Sequence, residues 1–344
     1  KIPVLDLSDT KDPAERLKLA EAYVNGLEAM VRDMEALHNR DHQDHAYDEM
    51  NCIYGATDIV SRYTMISGPS DQILEGLAGN TAAEKAAALE QSMTAMDQMV
   101  ELFYAHKGLS TASDAEPHNQ VPAGRLNIRY QRMFAGAFMY AGGLHIGIEW
   151  PQFQEMVKGE PVIADAEGKY QSGSLFGWGL SHEIGHEINE GAYAVAEVTN
   201  NYYPLLAKAR DTNDSLRFKY EDVFKKTISG ARGKASDGAV QLAMYWQLHL
   251  AYDTGYEYEL YDSYAEITAN RFFARVDSYS RNPSQAPGDV ALKLGGNADQ
   301  NFMRLVSAAA EKDLTDFFTR WGMTPDETTA AYMAQFPAEE RAIY

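Results

Sequence analysis

The chain has 344 residues, 45% of them hydrophobic and 11% aromatic, which supports a large core and excludes a disordered protein. Its formal charge of −20 disfavours nucleic acid and anionic membrane surfaces as partners. The single cysteine, Cys52, excludes an internal disulfide, and no apolar run reaches the length of about 18 residues that a membrane-spanning helix requires.

In chain order, the first elements are helical. Asp12, Pro13 and Glu15 combine a cap, an N1 proline and an N3 glutamate. Leu17, Ala20, Val24, Leu27, Val31 and Met34 then recur in steps of three and four, the stripe of one long helix. At its end His38, Asp41, His42, Asp44, His45 and Asp48 cluster without an assignable third metal ligand, as expected of a solvated face. Thr81 and Glu84 open a second helix to about His106, with Leu89, Met93, Met96, Val100 and Phe103 inward. Residues 1–110 therefore read as an N-terminal helical part.

Gly108, Pro117, Pro122 and Gly124 mark a connection over 108–124. Strand alternation follows at Leu126–Tyr130 and Leu144–Trp150, with a third short strand at Val162–Ala164. From about 175 the pattern is helical again. Gly191 stops one helix, and the next is expected over about 192–208, kinked or restarted at Pro204. Further helices fit about 214–228, 237–252, 257–280, 298–312 and 313–321, and Thr324-Pro325-Asp326-Glu327 opens a last, capped one. Helices around a small sheet make an α+β fold, mostly helical.

The chemistry concentrates at His182-Glu183-Ile184-Gly185-His186. Two histidines four apart share one helix face, so both imidazoles can reach one metal ion, most commonly zinc. Glu183 between them stands where a general base is wanted. A catalytic zinc site takes a third protein ligand. The position six beyond His186 is Ala192, and Asn189 stands where a glycine would be needed, so a third histidine of the metzincin kind is excluded. Glu197 is the favoured candidate, on the helix expected after Gly191; Glu187 and Glu190 are the alternatives. Thr199, Asn200 and Asn201 are candidates for orienting the ligands. Tyr245, His249, Tyr256 and Tyr258 are candidates for stabilising an oxyanion.

At these residues the chain resembles the enhancin-like metallopeptidases, peptidase family M-sixty, which include bacterial mucin-degrading O-glycopeptidases. The resemblance rests on Trp178 with His182-Glu183-Ile184-Gly185-His186, and on Glu197-Val198-Thr199-Asn200-Asn201. Phe138–Gly143 and His145–Ile148 resemble the strands before the family's active site; Asp313–Phe318, Trp321-Gly322-Met323 and Asn51–Pro69 add weaker likenesses. The resemblance implies His182, His186 and Glu197 as ligands of one Zn2+ per chain and Glu183 as catalytic base. It implies a gluzincin-like, two-lobed fold with its zinc metallopeptidase core in 111–344, the whole of 1–344 being one catalytic module. It further implies a secreted or cell-surface bacterial enzyme acting on O-glycosylated or mucin substrates.

Trp178, His145 and Trp150 are candidates for substrate binding, the two tryptophans by stacking on sugar rings and the His145–Trp150 strand as an exposed edge. Beginning at Lys1, the chain is expected to be a fragment of a longer protein, monomeric and not inserted in a membrane. The alternative functions are a zinc peptidase on non-glycosylated protein and a non-catalytic glycan-binding module.

Overall fold

The structure is a computed structural model that describes residues 2–41, 55–133, 137–149, 152–158, 162–164, 170–172, 178–207, 221–223, 225, 238–253 and 271–344. The chain forms two compact units. The first comprises Lys1–Glu101, Ala123–Asp165 and Tyr170–Glu187; the second comprises Leu102–Pro122, Ala166–Lys169 and Ile188–Tyr344.

The first unit is built on a six-stranded mixed sheet. Its strands are β1 (Val4–Asp6), β2 (Ala56–Val60), β3 (Thr64–Pro69), β4 (Leu126–Tyr130), β5 (Met139–Gly142) and β6 (His145–Ile148), in the order β1-β2-β3-β4-β6-β5. β1 is parallel to β2, β3 to β4 and β4 to β6, whereas β2 with β3 and β5 with β6 are antiparallel. β7 (Val162–Ala164) and β8 (Tyr170–Ser172) form a separate two-stranded sheet. The helices of this unit are α1 (Pro13–Asp41), α2 (Ser70–Gly76), α3 (Ala82–His106, as far as Glu101), the short α4 (Gln152–Glu155) and α5 (Leu180–Ile188, as far as Glu187). The sheet and helices bury Leu5, Val24, Leu27, Ile59, Ile66, Met93, Met96, Val100, Ile128, Ile146 and Phe153.

Both N-terminal start signals take the expected form. Asp12 Oδ1 accepts the Ala14 amide at 3.0 Å. Thr81 and Glu84 make a reciprocal capping box, with Glu84 N to Thr81 Oγ1 at 3.2 Å and Thr81 N to Glu84 Oε2 at 3.0 Å. The expectation of an all-helical 1–110 needs correction, because β1, β2 and β3 lie inside it. Ile59 and Ile66 face each other in the register, both fully buried, with β-branched Thr57, Val60 and Thr64 alongside. The His38–Asp48 side chains lie outside the described residues, as does Trp150.

The hairpin joining β5 and β6 turns in two residues. Gly142 pairs with His145, and Gly143 (φ 62°) and Leu144 (φ 66°) are both left-handed, the type I′ geometry. Leucine pays a steric penalty there, and its side chain is 87% exposed, so little packing offsets it. Leu144→Asn should therefore stabilise the protein by about 0.5–1 kcal/mol. A raised urea midpoint at unchanged m-value is the expected result, and an unchanged or lowered midpoint contradicts this reading of the turn.

The second unit is helical. After the last turn of α3 it contains α6 (Tyr202–Ala207), α7 (Gly238–Tyr252), α8 (Phe272–Arg281), α9 (Ala298–Ala310), α10 (Thr315–Arg320) and α11 (Glu327–Met333). Phe302 packs against Tyr193, Tyr245 and Phe318, with ring centroids 5.3, 4.6 and 5.9 Å away. Asp326 caps α11 by accepting the Thr329 amide at 2.7 Å, as its sequence predicts. The α+β, mostly helical reading holds.

Candidate metal centre

The motif helix α5 carries its chemistry on a short amphipathic segment. Leu180 and Ile184 are fully buried, and Ser181 donates its hydroxyl to Met99 Sδ at 3.2 Å. That anchorage fixes the helix's rotation. His182 and His186, one turn apart, are half-buried, and Glu183 is 8% exposed.

The two imidazoles meet edge to face, at an interplanar angle of 82°, with Nε2 of His182 3.2 Å from Nε2 of His186. Ring nitrogens bound to one tetrahedral zinc at ordinary bond lengths stand about 3.3 Å apart. Two nitrogens at that separation share either a proton or a metal ion. A carboxylate oxygen of Glu197 completes the group: the three ligand atoms all lie within 4.8 Å of one another. Two imidazoles and a carboxylate form a suitable donor set for a catalytic zinc ion, so the residues present fit the metal.

Glu197 does not sit on a helix. Turns cover 191–193 and 196–198, a 3₁₀ turn covers Thr199–Asn201, and α6 starts only at Tyr202. The helix expected over 192–208 fails because side chains compete for its backbone groups. Thr199 Oγ1 accepts the Val195 amide at 3.0 Å and donates to the Val195 carbonyl at 3.1 Å. Asn201 Nδ2 donates to the Glu197 carbonyl at 2.8 Å. Of the residues considered for orienting the imidazoles, Thr199 and Asn201 thus brace the turn that carries Glu197. Glu197 itself has φ 63°, a left-handed conformation that a non-glycine residue holds only where its surroundings over-determine it.

The alternative carboxylates are engaged elsewhere. Glu190 Oε1 is 2.8 Å from Lys107 Nζ and 2.6 Å from Arg281 Nη1. Burial raises the Glu187 carboxyl above its usual range, opposed by the His145 ring and the Gly142 backbone amide beside it. Glu187 therefore ties the motif helix to the β5–β6 hairpin.

His145 bonds Tyr140 Oη through Nε2 at 2.6 Å. Its strand is internal rather than an edge: β6 pairs with β4 on one side and β5 on the other, so β5 is the terminal strand. Trp178 is 7% exposed and packs in the core, which leaves no open face for a sugar. Tyr245 and His249 are buried too: Tyr245 packs against Phe302 with the rings tilted at 43°, and His249 Nδ1 faces Asp253 Oδ2 at 3.3 Å. Tyr256 and Tyr258 lie outside the described residues. The residues that sequence reasoning missed are Lys107, Asp277 and Arg281. Their contacts join positions far apart in the chain, and no local pattern marks them.

No curated protein matches this chain. Among solved structures it is similar to the M60 catalytic domain of Clostridium perfringens ZmpC in complex with the sialyl T antigen. There the TM-score is 0.62 at 19% identity, covering 100% of this chain and 57% of that one. The ZmpB metallopeptidase from the same organism gives TM-score 0.63 at 21% identity, covering 100% of this chain and 57% of that one. A metallopeptidase from Bacteroides thetaiotaomicron gives 0.57 at 18%, covering 99% and 51%. At these identities the likeness is one of fold, and the chain spans little more than half the length of these three solved chains. Its sequence matches the family described as Peptidase M60, enhancin and enhancin-like, over residues 78–322, a span that contains His182, Glu183, His186 and Glu197. With most of its length inside that match, the chain belongs to the M60 family of enhancin and enhancin-like peptidases.

Proposed function

We propose that the chain is the catalytic module, part of a longer secreted or surface-displayed bacterial protein, of a zinc metalloendopeptidase that cuts O-glycosylated, mucin-type proteins. The observation that carries this reading is the convergence of His182, His186 and Glu197 ligand atoms within 4.8 Å, in a chain of a peptidase family. The sialyl T antigen bound to the ZmpC domain supports a glycosylated substrate.

In this reading His182 and His186 present their Nε2 lone pairs and Glu197 a carboxylate oxygen to one zinc ion per chain. When bound, zinc supplies Lewis acidity, which brings the pKa of a water down to about 7 and polarises a carbonyl. The Glu183 carboxylate takes a proton from the attacking water and later delivers it to the leaving amine nitrogen. At 8% exposure, Glu183 is largely withdrawn from bulk water. The side of β5 that pairs with no strand among the described residues offers backbone groups to an extended substrate, and the monomer suffices.

Zinc-loaded protein incubated with a mucin-type glycoprotein, before and after enzymatic removal of O-glycans, tests the reading. Fragments should appear only from the glycosylated form and vanish with a chelator. Equal cutting of both forms indicates a general peptidase, and binding without cutting indicates a glycan-binding module.

A further inference from the structure

We propose that Lys107 and Asp277 are positioning residues, which hold the turn carrying Glu197 so that its carboxylate completes the metal centre; this rests on reading Glu197 as the third ligand. Lys107 follows the end of α3. Gly108, at φ 72°, ends the helix in a conformation that suits glycine, and a β-carbon there would meet the Ala274 carbonyl oxygen at 2.7 Å. The Lys107 ammonium is thereby delivered between two carboxylates, 2.8 Å from Glu190 Oε1 and 3.0 Å from Asp277 Oδ2. The three side chains are 5%, 12% and 2% exposed.

Arg281 closes the cluster. Nη1 contacts Glu190 at 2.6 Å, and Nη2 donates to the Lys107 carbonyl at 2.6 Å and to Asn119 Oδ1 at 2.9 Å. Two cations and two carboxylates balance. Burial disfavours the Lys107 ammonium, but Asp277, Tyr203 and Glu190 outweigh it and keep the amine charged.

From this cluster two sets of bonds, joined through the backbone between Ala194 and Val195, lead to Glu197. The Tyr193 hydroxyl donates to Asp277 Oδ1 at 2.5 Å. The Tyr193 and Ala194 amides bond the Glu190 carbonyl at 3.1 and 2.9 Å. Asn301 of α9 donates to the Ala192 carbonyl at 2.8 Å. The Val198 and Thr199 amides bond the Val195 carbonyl at 3.0 and 2.9 Å, and Asn201 holds the Glu197 carbonyl. Each end of the strained residue is therefore constrained. A buried ion cluster adds little net stability over well-packed apolar side chains, whereas it specifies one geometry. The geometry specified here is that of the segment between the motif helix and Glu197.

The test measures zinc affinity of the folded metal-free protein with competing chelators, together with amide exchange over 193–199. Lys107→Met should weaken zinc binding about 10- to 100-fold, the range for residues that orient metal ligands, and speed exchange across that segment. Leu305→Ala, a buried change in α9, serves as a control for general destabilisation and should leave zinc affinity unchanged. Tyr193→Phe removes only the hydroxyl on Asp277 and should weaken zinc in the same direction, which covers the case of a Lys107 variant that does not fold. Unchanged zinc affinity in Lys107→Met and Tyr193→Phe, or an equal loss in Leu305→Ala, overturns the positioning role. Glu197→Gln separates the two claims: normal affinity there refutes the ligand reading itself, while loss there with none in Lys107→Met refutes only the positioning.

Discussion

Glu183→Gln should bind one zinc per chain, melt no lower than the parent and cut the proposed glycoprotein substrate about a thousandfold more slowly. Loss of a general base costs roughly two to four orders of magnitude, and a thousandfold corresponds to about 4 kcal/mol of barrier. The substitution keeps shape and volume on a helix whose buried face is set by Leu180, Ser181 and Ile184. Glu183 is itself 8% exposed, and glutamine fills the same space without a charge to bury. Stability and metal content should therefore stay while turnover collapses. Full turnover in this variant refutes Glu183 as the base.

His182→Ala should fail earlier, at the metal. It removes one of two ring nitrogens that stand 3.2 Å apart and leaves an imidazole and a carboxylate, too few for a tight catalytic site. Zinc affinity should fall by more than the 10- to 100-fold typical of groups that only orient a ligand, and metal content after dialysis should approach zero. Glu197→Ala should fall in the same direction by a smaller step, because a half-buried histidine pair on one helix is already convergent without it. Normal zinc content in Glu197→Ala, beside loss in His182→Ala, assigns the third position to another group. Glu187 and Glu190 are poor substitutes, the first set against the β5–β6 hairpin and the second held by Lys107 and Arg281.

The motif helix was legible in the sequence because its information is local: the spacing of His182 and His186 alone places two nitrogens together. The capping box at Thr81 and the cap at Asp326 are legible for the same reason. The sequence favours Glu197 as a residue of the helix expected after Gly191, whereas the chain makes turns there. Alanines at 192, 194 and 196 favour a helix, and the Thr199 and Asn201 side chains override them through bonds that depend on the folded path.

The strands inside 1–110 were obscured by their brevity, since three to six residues give too short a window to separate a period of two from a helix. Ile59 and Ile66 carried that signal at the scale of single residues. Alternation over Leu144–Trp150 marks a strand but leaves open whether it is an exposed edge or internal; β6 is flanked on both sides. The burial of Trp178, Tyr245 and His249 follows from packing that composition does not encode. The Lys107–Asp277 pair joins positions 170 apart, so only the fold could bring it into view.

X-ray absorption at the zinc edge of the metal-loaded protein is the most direct measurement of the central claim. The account predicts one zinc per chain, with two imidazole nitrogens and oxygen ligands at about 2.0–2.2 Å, and loss of one imidazole shell in the residual signal of His182→Ala. A zinc with fewer than two histidines in the parent protein, or one unaffected by substitution of His182, would contradict it.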